Sequence, residues 1–319
     1  MAERSEFANP MLRPRYTGIP TFMRTPFTED LSQVDIGLIG IPFDGGVTNR
    51  TGARHGPREI RNQSTMLRTV NQASGIAPFD LCRVADIGDA WVESPFNLES
   101  SLAEITAFFR RVHAAGVVPI SAGGDQSVTL AVLRGIAAER PVGLVHVDAH
   151  CDTGDDYLGS RFHHGAPLRR AVEEGLLDPE RAIQIGIRGP LNDPNIWQFS
   201  HDSGMRVVYM EEFYDMGVKA VIAEARRVVG EGPTYVSFDV DGLDPVFAPG
   251  TGTPEVGGLT TLEAQLLLRG LRGLDLVGGD VVEVAPPFDP SGNTALVGAT
   301  MMFEILCVVA DAVAARRAD

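Results

Sequence analysis

The sequence predicts an α/β fold in which a mostly parallel sheet of about eight strands carries helices on both faces. Short β-branched apolar runs that end in Gly, Asp or Pro recur along the chain. Several of them, such as residues 142–147, are apolar almost throughout, as strands covered on both faces are. Segments with helical periodicity lie between the runs, and this alternation favours parallel pairing.

The predicted strands are the apolar runs that are bounded by turn residues. They lie at 35–43, 82–88, 116–121, 142–148, 182–187, 205–210, 234–240 and 275–284.

Two of the helices between the strands have clear ends. Residues 98–115 carry an apolar stripe, with acidic residues early and basic residues late, and Gly116 ends the helix. Thr260 and Glu263 form the pattern of a capping box and open another helix.

The organisation of the chain favours one domain. Residues 31–319 contain no internal repeat, low-complexity tract or linker, so we expect a single catalytic domain there. Residues 1–30 are rich in proline and are predicted to form an irregular arm. Functional residues of such a sheet are expected at the carboxyl ends of its strands.

Composition excludes several classes of protein. The formal charge of −15 disfavours nucleic acid and anionic membranes as partners, and 44% hydrophobic residues exclude disorder as the main state. We find no apolar run of membrane-spanning length and no secretory signal, and therefore expect a cytoplasmic protein. Three scattered cysteines indicate reduced thiols and no four-thiolate zinc site.

Polar clusters follow three of the predicted strands, at 123–126, 146–152 and 239–245. Asp148, His150 and Asp152 alternate along the chain, as do Asp239 and Asp241, so an extended backbone would point each set the same way. Like carboxylates cannot crowd together in a buried site without cations. Oxygen and nitrogen ligands without thiolate suit Mn²⁺ or a similar ion, and their number suits two ions. Any single Asp could instead be a helix cap or a turn residue.

In this order and spacing, the three clusters resemble the ureohydrolase family of arginases, agmatinases and guanidino-acid hydrolases. Segments 52–61, 164–165, 250–255 and 282–286 also match, so the resemblance covers about residues 15–310. Segments 19–24 and 296–302 look most like the guanidinopropionases and guanidinobutyrases of that family. The resemblance implies a three-layer αβα fold and a homotrimer or homohexamer.

The resemblance also implies a binuclear centre, with two Mn²⁺, or Ni²⁺, per subunit. The implied metal ligands are Gln126, Asp148, His150, Asp152, Asp239 and Asp241. Asp148 and Asp239 would bridge the ions, which would activate water to attack a guanidinium carbon and give urea and an amine.

Three residues carry the implied catalytic roles. Asp152 would orient the nucleophile and pass a proton to the leaving amine, and Glu283 would pair with the substrate guanidinium. His164 would shuttle protons at the cleft mouth, whereas His163 is interpreted as a bystander.

Gln126 departs from the family pattern, which has His at this position. A neutral amide oxygen is a weaker donor than imidazole, so the first ion should bind less tightly. We expect retained hydrolase activity, because the other ligands are present. The alternative is a weakened subunit that is inactive alone and acts on agmatine or an N-alkylated guanidine or biguanide with a related partner subunit.

Substrate choice is expected to come from the loop at 153–163 and from the turn at 45–50. Tyr157 is expected to narrow the cleft, which suits 3-guanidinopropionate or 4-guanidinobutyrate, and Asn49 lies in a turn that could contact substrate. Arg161 or Arg50 could pair with the substrate carboxylate. The acidic pair at 155–156 leaves agmatine open. A deacetylase on a related fold is a remote alternative, and no Gly-X-Gly-X-X-Gly follows the first strand to support a dinucleotide site.

Overall fold

A computed structural model describes residues 11–318 of the chain. Eight parallel strands form one sheet, in the order β2-β1-β3-β8-β7-β4-β5-β6. Their bounds are β1 Ile36–Gly40, β2 Val84–Asp89, β3 Val118–Ala122, β4 Val142–Val147, β5 Leu177–Ile187, β6 Arg206–Tyr209, β7 Thr234–Asp239 and β8 Leu276–Val282.

Helices cover the sheet on both faces, which gives a three-layer αβα fold. Their bounds are α1 Gly56–Ser64, α2 Pro78–Leu81, α3 Leu98–Ala114, α4 Val128–Ile136, α5 Pro167–Glu173, α6 Gln198–Ser203, α7 Met210–Met216, α8 Val218–Val229, α9 Thr261–Gly270 and α10 Asn293–Ala318. Helices α3, α4 and α5 contribute to the core on one face, and α1, α8, α9 and α10 to the core on the other.

The predicted elements are found, with differences at their ends. Both faces of the central strands are buried, as their apolar composition requires. Thr260 and Glu263 form the expected capping box at the start of α9, and Gly116 follows α3 with a left-handed φ of 73°. Strand β5 begins five residues before the predicted run at 182, because its irregular first part contains polar residues that lack the apolar pattern.

The described part of the arm, residues 11–30, is irregular apart from a short 3-10 helix at Phe22–Arg24 and a bridge from Phe27 to Asp86. Asp86 accepts a hydrogen bond from the Phe22 amide, and the Phe22 side chain is fully buried. The arm is therefore packed against the sheet edge. The domain boundary at residue 30 stays a prediction, and residues 1–10 lie outside the described part.

Within residues 11–318, one helix is long and apolar enough to cross a membrane by length and composition. It is α10, and 78% of its most apolar window is buried inside the fold. The expectation that no apolar run has such a length therefore needs correction. A central core helix passes the same test, because protein surrounds it on most sides.

Asp35 links three distant parts of the chain. Immediately before β1, its carboxylate accepts hydrogen bonds from the Arg83 amide (2.7 Å) and from the Arg317 guanidinium (2.9 Å). Burial alone would raise the pKa of Asp35, but hydrogen bonds from Arg317 and Arg83 outweigh it and hold the pKa below its usual range. A carboxylate with a lowered pKa stabilises the fold above its unfolded-state pKa, and this contribution is lost as the pH falls.

We therefore expect Asp35→Asn to lower the free energy of unfolding by about 1 kcal/mol at pH 7. The loss is small because both arginines are partly exposed and water screens their charges. The difference should shrink as the pH falls below the ordinary aspartate value of 3.8. Denaturant unfolding at several pH values measures it, with Asp202→Asn at an exposed position as the control. A difference that is constant with pH would contradict the prediction.

Candidate metal and active site

The carboxyl ends of four neighbouring strands bring the predicted site residues together. Strands β3, β8, β7 and β4 are adjacent in the sheet, and their chain continues into the polar clusters. Gln126 follows β3, Glu283 follows β8, Asp239 ends β7, and Asp148 follows β4. Parallel strands end at the same edge, so segments far apart in sequence form one site.

Asp148, His150 and Asp241 form a compact group. The His150 Nδ1 atom lies 3.3 Å from Asp148 Oδ1 and 3.2 Å from Asp241 Oδ2, and potential ligand atoms of the three residues lie within 4.8 Å of one another. A second group of this size contains His146, Asp148 and Asp152. Asp148 belongs to both groups, as a residue shared by two ions would.

The buried carboxylates repel one another, so the site requires positive charge. Burial, followed by repulsion from Asp148, raises the pKa of Asp152 well above its usual range. Burial and then repulsion from Asp241 do the same to the pKa of Asp239. These acids become fully ionised only when positive charge is brought among them, and divalent cations supply it. The donor set therefore fits metal ions.

Asp148 differs from its neighbours because histidines flank it. Burial alone would raise its pKa, but attraction to His146 and hydrogen bonds from His146 and His150 hold the pKa below the usual range. His146 Nε2 lies 2.9 Å from Asp148 Oδ2, and Gln184 Nε2 lies 3.3 Å from His146 Nδ1. A buried chain of polar side chains thus supports the carboxylate at the centre of the cluster.

Gln126 is buried at the wall of the site. Its backbone amide donates to Glu283 Oε1 (2.9 Å), and its side-chain Nε2 donates to Ser237 Oγ (3.0 Å). Gln126 Oε1 has no hydrogen-bond partner among the described residues. A buried carbonyl oxygen without a partner is costly, and a cation would satisfy it.

Glu283 and His164 form a second functional pair. His164 Nδ1 donates to Glu283 Oε1 (2.9 Å), and the Thr48 amide donates to His164 Nε2 (3.2 Å). The geometry therefore places the ring proton of neutral His164 on Nδ1. Burial lowers the pKa of His164, but attraction to Glu283 and the hydrogen bond with it outweigh this and raise the pKa. Glu283 Oε2 is left without a partner, so a substrate cation can bind it.

Two of the site carboxylates have left-handed backbones. Asp152 has a φ of 54° and Glu283 a φ of 62°, a region that non-glycine residues rarely adopt. Such strain persists where the surrounding structure fixes it, and it is common at functional sites. Here it belongs to Asp152, five residues after the end of β4, and to Glu283, directly after β8.

A cavity of about 240 Å³ opens above the cluster. Seven residues of the predicted set line it: Gln126, His150, Asp152, Tyr157, His164, Asp239 and Glu283. Asp148 and Asp241 lie beneath this lining and are almost fully buried. The structure thus places every predicted metal ligand and catalytic residue at or below one cavity.

Two predicted substrate residues are not brought to the cavity wall. The Arg161 guanidinium is exposed and pairs with Glu173 at 2.6 Å, since the loop before α5 directs it toward that helix. Asn49 is also exposed, and its neighbour Thr48 lines the cavity instead. Arg50 donates hydrogen bonds to the carbonyl oxygens of Thr251 (2.7 Å) and Gly252 (2.8 Å) and so stabilises the loop that contains them.

The sequence interpretation missed several wall residues. They are Thr48, Asn192, Ile196, Trp197 and Thr253, and His163, which was interpreted as a bystander, also lines the cavity. Thr253 lies within the recognised segment 250–255, and its hydroxyl donates to Asp241 Oδ2 (3.1 Å), so a signal for it was present. Asn192 and Trp197 lie in a loop without a motif, so only the fold reveals their place.

A model of the arginase family matches residues 34–308. The chain belongs to the arginase family. It is 62% identical over 302 residues to a guanidinopropionase from Pseudomonas aeruginosa, covering 94% of this chain and 95% of the relative. It is 47% identical over 300 residues to a guanidinobutyrase from the same organism, covering 93% of this chain and 94% of the relative.

A solved structure agrees with the fold. The proclavaminate amidinohydrolase from Streptomyces clavuligerus superposes with a TM-score of 0.90 at 40% identity, covering 94% of this chain and all of that chain. Proteins of the arginase fold use a binuclear metal site, and the candidate His and Asp cluster of this chain lies at the strand ends where ligands bind in such sheets.

We expect a divalent ion to stabilise the folded chain through this cluster. Mn²⁺ at a hundredfold excess over its dissociation constant should raise the free energy of unfolding by about 2.7 kcal/mol for each site. Asp239→Ala should remove most of this gain and lower the metal content per chain. Thermal unfolding with and without Mn²⁺, together with metal counting, measures both effects.

Asp202→Ala, at an exposed position, is the matched control and should keep the full gain. An equal Mn²⁺ effect in Asp239→Ala and in the unsubstituted chain would mean that Asp239 holds no ion.

Proposed function

We propose that the chain is a binuclear metal-dependent amidinohydrolase that converts a small guanidino acid to urea and an amine. The observation that carries the proposal is one cavity whose floor is a carboxylate and imidazole cluster and whose wall presents an unpartnered carboxylate oxygen of Glu283. The named relatives, a guanidinopropionase and a guanidinobutyrase, support the substrate class.

We propose Mn²⁺ as the native metal, with Ni²⁺ as the alternative, and the six residues at the cavity floor as ligands. They are Gln126, Asp148, His150, Asp152, Asp239 and Asp241. When bound, the two ions lower the pKa of water and so make hydroxide available at neutral pH. Hard oxygen ligands with one imidazole suit these ions better than they suit zinc, which more often takes His and Cys.

The chain's own side chains then bind and orient the substrate. Glu283 Oε2 accepts a hydrogen bond from the guanidinium, while Glu283 Oε1 is held by His164 and by the Gln126 amide. A carboxylate held in this way keeps the guanidinium carbon in a fixed position above the cluster. Asp152 lies at the cavity floor and can pass a proton to the leaving amine, and His164 can exchange protons with solvent near Thr48.

The outer lining of the cavity favours a short guanidino acid over agmatine, since neither acidic residue of the pair at 155–156 lines it. Agmatine needs an acidic partner for its distal ammonium, but the Asp155 carboxylate already pairs with Arg169 (2.9 Å) and Arg170 (2.8 Å) and does not line the cavity. Tyr157 and Asn192 offer hydrogen-bond donors at the outer wall, where the carboxylate of a short guanidino acid would reach.

The alternative of a weakened subunit is not favoured. Gln126 Oε1 is free to bind a cation, and the other predicted ligands lie at or beneath the lining of the same cavity, which supports a complete site. The chain covers almost the whole length of the guanidinopropionase to which it is 62% identical. We also propose that the chain assembles as a homotrimer or homohexamer, as the family resemblance implies, and that it is cytoplasmic.

Urea release by the purified, Mn²⁺-loaded chain tests the function. We expect the highest kcat/KM with 3-guanidinopropionate, a lower value with 4-guanidinobutyrate, and values at least about tenfold lower with agmatine and arginine. Glu283→Gln should lower kcat/KM by about a hundredfold, because a charged hydrogen bond to the substrate is lost. The absence of urea from every guanidino compound, with two ions bound per chain, would contradict the proposal.

A further inference from the structure

A row of polar side chains crosses the buried sheet directly below the metal cluster. The register pairs Asp280 of β8 with Ser121 of β3 and with Ser237 of β7. It continues by pairing His146 of β4 with Ser237 and with Gln184 of β5. These five residues are fully buried in strands that are otherwise mostly apolar, where hydrogen bonds stabilise a polar group. Only some of their polar atoms have such bonds, since Ser121 Oγ, Gln184 Oε1 and Asp280 Oδ1 have no partner among the described residues.

Asp280 lies between Ser121 and Ser237 in this row and accepts hydrogen bonds. Its Oδ2 atom accepts hydrogen bonds from Thr129 Oγ1 (2.8 Å) and from the Tyr235 hydroxyl (3.0 Å). Burial raises the pKa of Asp280, while hydrogen bonding by Ser237, Thr129 and Tyr235 acts in the opposite direction. A carboxylate that collects several hydroxyl protons leaves those hydroxyls with only lone pairs for other neighbours.

The Gln126 side chain is the neighbour that contacts the lone pairs of these hydroxyls. Its side-chain nitrogen lies 3.0 Å from Ser237 Oγ and 3.4 Å from Thr129 Oγ1, and its Oε1 atom has no partner among the described residues. The carbonyl oxygen and the NH₂ group of a side-chain amide have nearly the same shape. Their hydrogen-bond partners therefore decide which of the two groups points toward the site. The Thr129 hydroxyl donates its proton to Asp280, so its lone pair accepts the NH₂ group and would repel the carbonyl oxygen. The Ser237 hydroxyl oxygen is a second acceptor for the NH₂ group.

We infer that Asp280, acting through Thr129, and Ser237 as a second acceptor orient the Gln126 amide so that its oxygen, and not its NH₂ group, is presented to the first metal ion. The inference rests on the proposed function, because it takes Gln126 as a metal ligand. Thr129, Ser237 and Asp280 are then positioning residues that make a glutamine usable where the family pattern has histidine. An amide turned the other way would direct two donor hydrogens at a cation and could not bind it.

Mn²⁺ binding to the metal-free chain tests the inference without any measurement of activity. The free-ion signal in electron paramagnetic resonance gives a dissociation constant during titration. Thr129→Val should raise the dissociation constant of the weaker ion about tenfold, the usual effect of losing a residue that orients a ligand. Thr129→Ser, which keeps the hydroxyl, should stay within about threefold, since its lone pair still accepts the amide.

Two controls separate orientation from general damage. Thr106→Val removes another buried helical hydroxyl, in α3, and should leave the titration unchanged. In a Gln126→Ala background, which has no amide to orient, Thr129→Val should add no further weakening, whereas a general loss of structure would add to it. Should Thr129→Val fail to fold, Ser237→Ala decides the question in the same titration.

The Mn²⁺ titration can contradict this inference without contradicting the proposed function. If Gln126→Ala leaves Mn²⁺ binding unchanged, residue 126 is no ligand and the inference is wrong. If Gln126→Ala weakens binding but Thr129→Val and Ser237→Ala do not, Gln126 is a ligand whose orientation does not depend on this row. Urea release by the unsubstituted chain tests the proposed function separately and would persist in the second case.

Discussion

Repulsion among buried carboxylates is the constraint on which the rest of this structure depends. Asp148, Asp152, Asp239 and Asp241 lie close together with little exposure to water, and several carry raised pKa values in each other's presence. Packing alone would not bring these residues together, because each isolated charge costs several kcal/mol to bury. Cations among them offset that cost, and the same ions supply the chemistry of the arginase family.

The fold solves the problem of assembling these groups from distant parts of the chain. Four adjacent parallel strands deliver the carboxylates, His150, Gln126 and Glu283 to one edge, and helices on both faces seal the strands from water. In the polar row below the cluster, Gln184 contacts His146, and His146 contacts Asp148. Thr129, beside this row, accepts a hydrogen bond from Gln126 and donates one to Asp280. Binding residues are thus held by partners deeper in the sheet.

The sequence predicts the sheet and the grouping of acidic and histidine side chains at its edge, because both leave strong local signals. Apolar β-branched runs mark the strands, the pair Thr260 and Glu263 marks the start of α9, and alternating Asp and His residues mark the strand ends. The polar row was also visible in principle, since each member interrupts an apolar run. Its meaning required the register between strands, which no local pattern contains.

The outer cavity wall was not predictable in this way. Arg161 lies in the expected loop, but its partner Glu173 is on a helix whose position depends on tertiary packing. Asn192 and Trp197 belong to a loop without any motif, and their contact with the cavity follows only from the path of the chain after β5. Substrate selectivity is therefore encoded in the fold more than in local sequence.

Anomalous diffraction from crystals of the Mn²⁺-loaded chain tests the central claim most directly. The account predicts two manganese peaks per chain between the carboxylates that follow β4 and β7, with the Gln126 side-chain oxygen as a ligand of one of them. A single peak, or two peaks of which neither has Gln126 within bonding distance, would contradict it.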